Sequence, residues 1–179
     1  MHLQRTLKKE ILCSSIGLHT GRKVNMKIKP APADTGIIFI RKDLPQARPI
    51  PADYKMVCDT TLATSLGYDG VSVSTVEHIL SAFSGMGLDN AVIELDSFEV
   101  PIMDGSALPF VNMLKKVGTK TQGVSKKMLI IKKPVSVKEG EGVATLLPSD
   151  EFKITYDIDF AHRAIGRQSY SIIFSDRNY

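Results

Sequence analysis

The stretch SVSTVEHILSAFSGMGLDNAVIEL, residues 72–95, changes its hydrophobic period twice. After the alternating VSVS, the residues Val76, Ile79, Leu80, Phe83 and Met86 follow i, i+3, i+4, i+7 spacing, which predicts a helix over 74–86 with one apolar stripe packed on a sheet. Gly87 is placed to end that helix, and AVIEL from Ala91 reads as a strand again.

The same grammar extends on both sides. Upstream, strands are predicted around 5–12, at KVNMKIK (Val24, Met26, Ile28) and at GIIFIRK from Gly36, with Pro30 to Asp34 connecting the last two. TTLATSL and VSVS form a hairpin around Tyr68-Asp69-Gly70. Downstream, the turn PIMDGS leads to a second helix carrying Leu108, Phe110, Val111, Leu114 and Val117. Ser106 can cap its start, and Lys115, Lys116 and Gly118 stand at its end. Residues 1–120 thus hold a sheet with two helices for one of its faces, an α+β sandwich.

Around 119–126 the composition turns polar and reads as a linker, assigned to 121–126. Residues 127–179 then give only strands: MLIIKKPVSV, the acidic turn KEGEG, VATLL, FKITYDIDF and QSYSIIF. The order of VATLLPSDEFKITYDI resembles that of VNMKIKPAPADTGIIFI, which points to an internal duplication. A sheet without helices leaves an apolar face in water, so the second domain is expected to be incomplete in this chain.

With 179 residues the chain has room for one ordinary domain or two small ones. No apolar run approaches the roughly 18 to 20 residues of a membrane span, and the N-terminus lacks the pattern of a signal peptide; a soluble, cytoplasmic protein without stable membrane insertion is expected. Cys13 and Cys58 are read as reduced thiols, and no CxxC offers a cysteine zinc site. The net charge of +4 comes from dispersed lysines, with few aromatics and no tryptophan, so no nucleic-acid partner is expected; an anionic small substrate or a solvated basic surface suits the pattern better.

Glu77 and His78 stand side by side in the opening stretch. Ser74-Thr75-Val76-Glu77 matches the capping box S-x-x-E, which gives Glu77 a purely structural reading. His78 is less easily read as a core residue. With Val76 at zero and about 100° per residue, Glu77 falls near about 100° and His78 near about 200° from the stripe. Ser81, Ala82, Ser84 and Gly85 share that side, and none is long and charged, so another layer or a ligand is expected to cover it. An acid beside one imidazole is by itself a weak zinc signal, because catalytic zinc takes three protein ligands.

IGLHTG (16–21), PAPADTGIIFIR (30–41), STVEH (74–78), GLDN (87–90), VPIMDGSA (100–107) followed by PFV, and IDF (158–160) resemble, in that order, the UDP-3-O-acyl-N-acetylglucosamine deacetylases, the zinc amidases of lipid A synthesis in Gram-negative bacteria. The resemblance covers essentially the whole chain. It implies a duplicated two-layer α/β sandwich with the active site between the helix layers of its two halves. It also implies a Zn2+ cofactor with His78 as one of three ligands, and Glu77 as the general base that takes a proton from the attacking water. Phe160 resembles the aromatic that stacks on the uracil of the UDP-linked acylglucosamine substrate. Leu18 and His19 belong to a segment near the cleft, although His19 is equally open to a structural reading.

The family's other zinc ligands on an H-x-x-x-D helix, its general-acid histidine and its oxyanion threonine have no match in residues 1–179. They are expected in a missing C-terminal half, and the chain alone is expected to be inactive. Gly142 stands where some relatives carry a substrate-binding lysine, and His2 and His162 match no ligand position. Two alternatives remain: a non-catalytic sugar-nucleotide-binding module or one chain of a two-chain assembly, and a small nucleic-acid-binding domain.

Overall fold

The computed structural model describes residues 2–174, and the chain divides into two compact units, residues 1–126 and 127–179. The first unit opens with β1 (Leu3–Leu7), β2 (Ile11–Ile16), β3 (Lys23–Pro30), β4 (Ile37–Arg41) and the short β5 (Ile50–Pro51). A 3₁₀ turn at Tyr54–Met56 leads to β6 (Val57–Asp59), β7 (Ser65–Tyr68) and β8 (Val71–Val73), then α1 (Glu77–Gly85), β9 (Ala91–Leu95), α2 (Leu108–Val117) and β10 (Thr119–Ser125).

Five of these strands form one sheet in the order β2-β3-β9-β4-β5. β9 lies antiparallel to β3 and parallel to β4. A parallel pair needs a crossover, and the crossover from β4 to β9 includes α1. Strand alternation sends Val24, Met26 and Ile28 of β3, with Phe39, Ile93 and Leu95, into one core. The helices contribute Ile79, Phe83, Phe110, Val111 and Leu114 to it, and α1 packs beside α2. The unit is a two-layer α+β sandwich.

Local chemistry explains the boundaries. The β7–β8 hairpin turns at Asp69 and Gly70, whose φ of 52° and 76° are those of the primed turn that matches strand twist. Gly87 has φ 63° and closes α1 as a Schellman cap: its N–H donates to Ser84 O at 3.0 Å and the Leu88 N–H to Phe83 O at 2.8 Å. α2 ends on Gly118, φ 74°, whose N–H donates to Leu114 O at 2.9 Å.

The structure corrects several expectations. The first strand region is two strands, broken at Lys8 to Glu10. Residues 121–126 are no linker, because Thr119–Ser125 pairs antiparallel with β1. A buried amide explains how so polar a segment docks. Asn90 Nδ2 donates to Gln122 Oε1 and to Gln4 Oε1, both at 2.8 Å, while its Oδ1 accepts from Gly36 N–H at 2.8 Å. The inward position of β10 is thus filled by a hydrogen-bonding side chain where an alternating pattern would have an apolar one.

In the second unit the described residues form β11 (Val135–Glu139), β12 (Gly142–Leu146), β13 (Lys153–Asp159) and β14 (Arg167–Ile173), paired as two separate hairpins, β11-β12 and β13-β14. The expected strand at MLIIKK is absent, and pairing starts only at Val135, beyond Pro134. Residues 175–179 lie outside the described residues. No helix among the described residues is long and apolar enough to cross a membrane.

Candidate active site

The loop Gly17–Gly21 joins β2 to β3, closed by Gly17 N–H donating to Arg22 O at 2.9 Å and Gly21 N–H to Gly17 O at 3.0 Å. Leu18 and His19 both expose their side chains here. Residues 98–102 run between this hairpin and the strand that enters α1. Ser74 N–H donates to Phe98 O at 2.9 Å, Val100 N–H to Ser74 O at 3.0 Å, and Ile102 N–H to Ile16 O at 2.9 Å.

Glu99, at the centre of that segment, is fully buried. Its Oε1 accepts from the His19 N–H at 2.9 Å and the Thr75 hydroxyl at 3.1 Å. Its Oε2 accepts from the Thr20 N–H at 3.0 Å and the Thr20 hydroxyl at 2.8 Å. Burial opposes its charge, yet these four hydrogen bonds outweigh that effect and hold the carboxyl below its ordinary range. Thr75, on the far side, has a left-handed backbone at φ 59°. Neither residue was singled out by the motifs. In SFEVPI the sequence shows only an acid between two apolar neighbours, and the bends at residues 96–98 break the alternation of β9, so no local period marks Glu99 as buried.

The capping-box reading of Glu77 fails. α1 begins at Glu77 with Val76 as its N-cap and no side-chain cap hydrogen bond. The Ser74 hydroxyl instead accepts from the Ser65 hydroxyl at 2.9 Å. Glu77 Oε2 accepts from the Thr64 N–H at 3.1 Å, while the Thr64 carbonyl accepts from the Val76 N–H at 3.3 Å. The helix entry is therefore clamped by the backbone of the segment before β7, and the Glu77 carboxylate is tied sideways to that segment. His78 is half-buried and lies off the core stripe of Val76, Ile79 and Phe83, which are at most 1% exposed. Ala82 belongs to the buried side rather than to the open one, so the covered arc of α1 is wider than the stripe alone.

The first unit thus connects four of the expected site residues. Leu18 and His19 sit on a loop held through Glu99 to Thr75, two positions before Glu77 and three before His78. Phe160 belongs to the second unit, where its ring is exposed and its N–H donates to Gly166 O at 3.1 Å. Gly142 opens β12 opposite Glu139. The VPIMDGSA segment makes a turn in which Asp104 Oδ1 accepts from the Ser106 N–H and hydroxyl, which keep that carboxyl below its ordinary range. The Ser106 hydroxyl accepts from the Leu108 N–H at 3.2 Å, so it does serve the start of α2, one position before the N-cap Ala107.

Among the described residues no three His, Cys, Asp or Glu side chains come together as a group that could hold an ion. Residues 2–174 therefore do not fit a complete zinc site; His78 with Glu77 is at most one ligand and one base.

Residues 4–179 match the family model described as LpxC: UDP-3-O-acyl N-acetylglycosamine deacetylase. The chain is 59% identical over 179 residues, its whole length, to a UDP-3-O-acyl-N-acetylglucosamine deacetylase of Syntrophus aciditrophicus, of which this covers 57%. It is 47% identical over 98% of its length to one from Myxococcus xanthus, covering 56% of that protein, and 53% identical over 89% of its length to one from Saccharophagus degradans, covering 52%. It spans a little over half the length of these relatives. The match over residues 4–179 and the identity to these relatives assign the chain: it belongs to the LpxC family of UDP-3-O-acyl-N-acetylglucosamine deacetylases.

Proposed function

We propose that the chain is part of a zinc-dependent amidase that removes the N-acetyl group of a UDP-3-O-acyl-N-acetylglucosamine for lipid A synthesis in the cytoplasm, and that residues 1–179 alone are inactive. Beside the family match, the observation that carries this reading is the position of Glu77 and His78: adjacent at the helix start, off the core stripe, with the carboxylate not used as a helix cap. In the proposal His78 is one zinc ligand, and the remaining ligands come from a further part of the protein. When bound, the ion supplies a Lewis-acid centre that makes water acidic near neutrality.

The chain's own residues have separate tasks. Glu77 takes the proton of the attacking water and is oriented for this by the Thr64 amide, which leaves its other oxygen to face the reactants. Leu18 and His19 contact the substrate, and Phe160 stacks on the uracil.

The test uses a full-length form, in which residues 1–179 are continued by the portion of the Syntrophus relative that they do not match. Acetate release from UDP-3-O-acyl-N-acetylglucosamine, lost on chelation and recovered with zinc, is expected. Binding of the nucleotide sugar without turnover would favour a non-catalytic sugar-nucleotide-binding module.

A further inference from the structure

Among the described residues Glu99 is the only fully buried carboxylate, and it is not among the residues given a chemical task above. A buried carboxylate persists only where hydrogen bonds replace its hydration. Three of its four donors come from one loop, the His19 and Thr20 amides and the Thr20 hydroxyl, and the fourth is the hydroxyl of Thr75. There is no slack in the arrangement: a Cβ on Gly17 would collide with the Glu99 carboxylate and with the Thr20 hydroxyl.

An apolar contact would keep this loop near Thr75 without fixing its direction. Two consecutive amides converging on one anion fix both the height and the rotation of the peptide that carries Leu18 and His19. The other end of the tether, Thr75, directly precedes the residues that set the start of α1, Val76 and Glu77.

We propose that Glu99 is a positioning residue for substrate, setting the pose in which the exposed Leu18 and His19 are presented to the ligand relative to the segment that leads into Glu77 and His78. The proposal rests on the deacetylase reading and goes beyond it by naming the group that preorganises the substrate loop. Its chemistry is specific. In Glu99→Gln one oxygen becomes an amide donor. The Thr20 or Thr75 hydroxyl can rotate to accept from it, but the backbone N–H that shared that oxygen, of Thr20 or of His19, loses its acceptor.

The experiment measures steady-state kinetics of the full-length form with UDP-3-O-acyl-N-acetylglucosamine, and amide hydrogen exchange at His19 and Thr20. Glu99→Gln is expected to raise KM roughly tenfold with kcat within about threefold of wild type, because the lost interaction orients bound substrate and not the reacting water. Thr20→Val, which keeps the carboxylate and both amides, is expected to raise KM by a few fold, and Thr20→Ser to restore it. That pair reads the same tether if Glu99→Gln does not fold. Faster exchange at His19 or at Thr20 in Glu99→Gln, accompanied by the KM rise, supports the proposal. Unchanged KM in both Glu99→Gln and Thr20→Val, with only a lower melting temperature, overturns it and leaves the deacetylase reading standing. A wild-type full-length form that releases no acetate removes that reading, and the positioning role with it.

Discussion

Thr75 is β-branched and yet sits at φ 59°, a conformation that costs on the order of 1–3 kcal/mol. The strain is offset locally, since its hydroxyl reaches Glu99 and its neighbour Ser74 exchanges backbone hydrogen bonds with residues 98 and 100. The bend carries the chain from β8 into α1 within three residues. At this scale Glu77 gives the sharpest test. Glu77→Gln keeps an oxygen for the Thr64 N–H, so the melting temperature and zinc content of the full-length form are expected to stay near wild type while deacetylation falls by about two orders of magnitude or more. Preserved turnover with a lowered melting temperature would reduce Glu77 to a structural acceptor. Glu99 provides a second test. Its folded carboxyl titrates below the ordinary range, so its contribution to stability is complete above that range and is lost as pH falls through the folded value. The stability gap between wild type and Glu99→Gln, read from urea midpoints, is therefore expected to be widest near neutrality and to shrink below about pH 4. A gap independent of pH would show that the charge is not what holds the loop.

Among the elements, β10 shows how a polar segment becomes part of a sheet. Lys120 and Thr121 face water, while Gln122 bonds Asn90 on one side and the carbonyl of Ala31, at 2.9 Å, on the other. GLDN, which in the sequence is only a marker of resemblance, is structural here. Asp89 accepts from the Arg5 N–H at 2.7 Å and pairs with Lys126 at 3.0 Å, and Asn90 joins β1, β10 and the start of β4. Asn90→Ala leaves the Gly36 N–H and two glutamine side chains without their buried partner. A loss of roughly 2–4 kcal/mol is expected, measured by the amide exchange of β3 and β9. A change below about 0.5 kcal/mol would mean that water takes over the network and that β10 is dispensable.

For the whole chain, the two units differ in how their apolar side chains are covered. The first has a closed core of sheet and helices. The second exposes Val135, Val137, Val143, Ile154, Tyr156 and Tyr170 on two hairpins, and a two-stranded hairpin by itself is marginal in water. Amides of 135–173 are expected to exchange orders of magnitude faster than those of β3 and β9 in purified 1–179; equal protection would show that these hairpins are stable as they stand. The same protein is expected to hold well under one zinc per chain by metal analysis and to release no acetate, because one imidazole does not make a three-ligand site. Stoichiometric zinc in 1–179 would require ligands among His2, His19, His162 or the aspartates. Adding a chain with the complementary part of a relative is expected to raise both zinc content and activity.

What the sequence determined by itself is what local periodicity and turn chemistry encode. The switch from period two to 3.6 at Val73–Val76, the Asp69-Gly70 hairpin and the glycine stops at Gly87 and Gly118 all lie within a few residues of the structure they specify. That Glu77 and His78 lie off the stripe that became the core was legible for a related reason, since a wheel angle is a local property. Whether Glu77 capped its own helix was not legible, because Thr64, which takes its carboxylate, is thirteen residues away and reaches it only through the β7–β8 fold-back. Glu99 and the strand β10 were hidden for the same reason. Their meaning rests on partners some 80 residues away for Glu99 and 32 for Gln122, and a hydrogen bond between distant backbone segments leaves no period in the sequence of either.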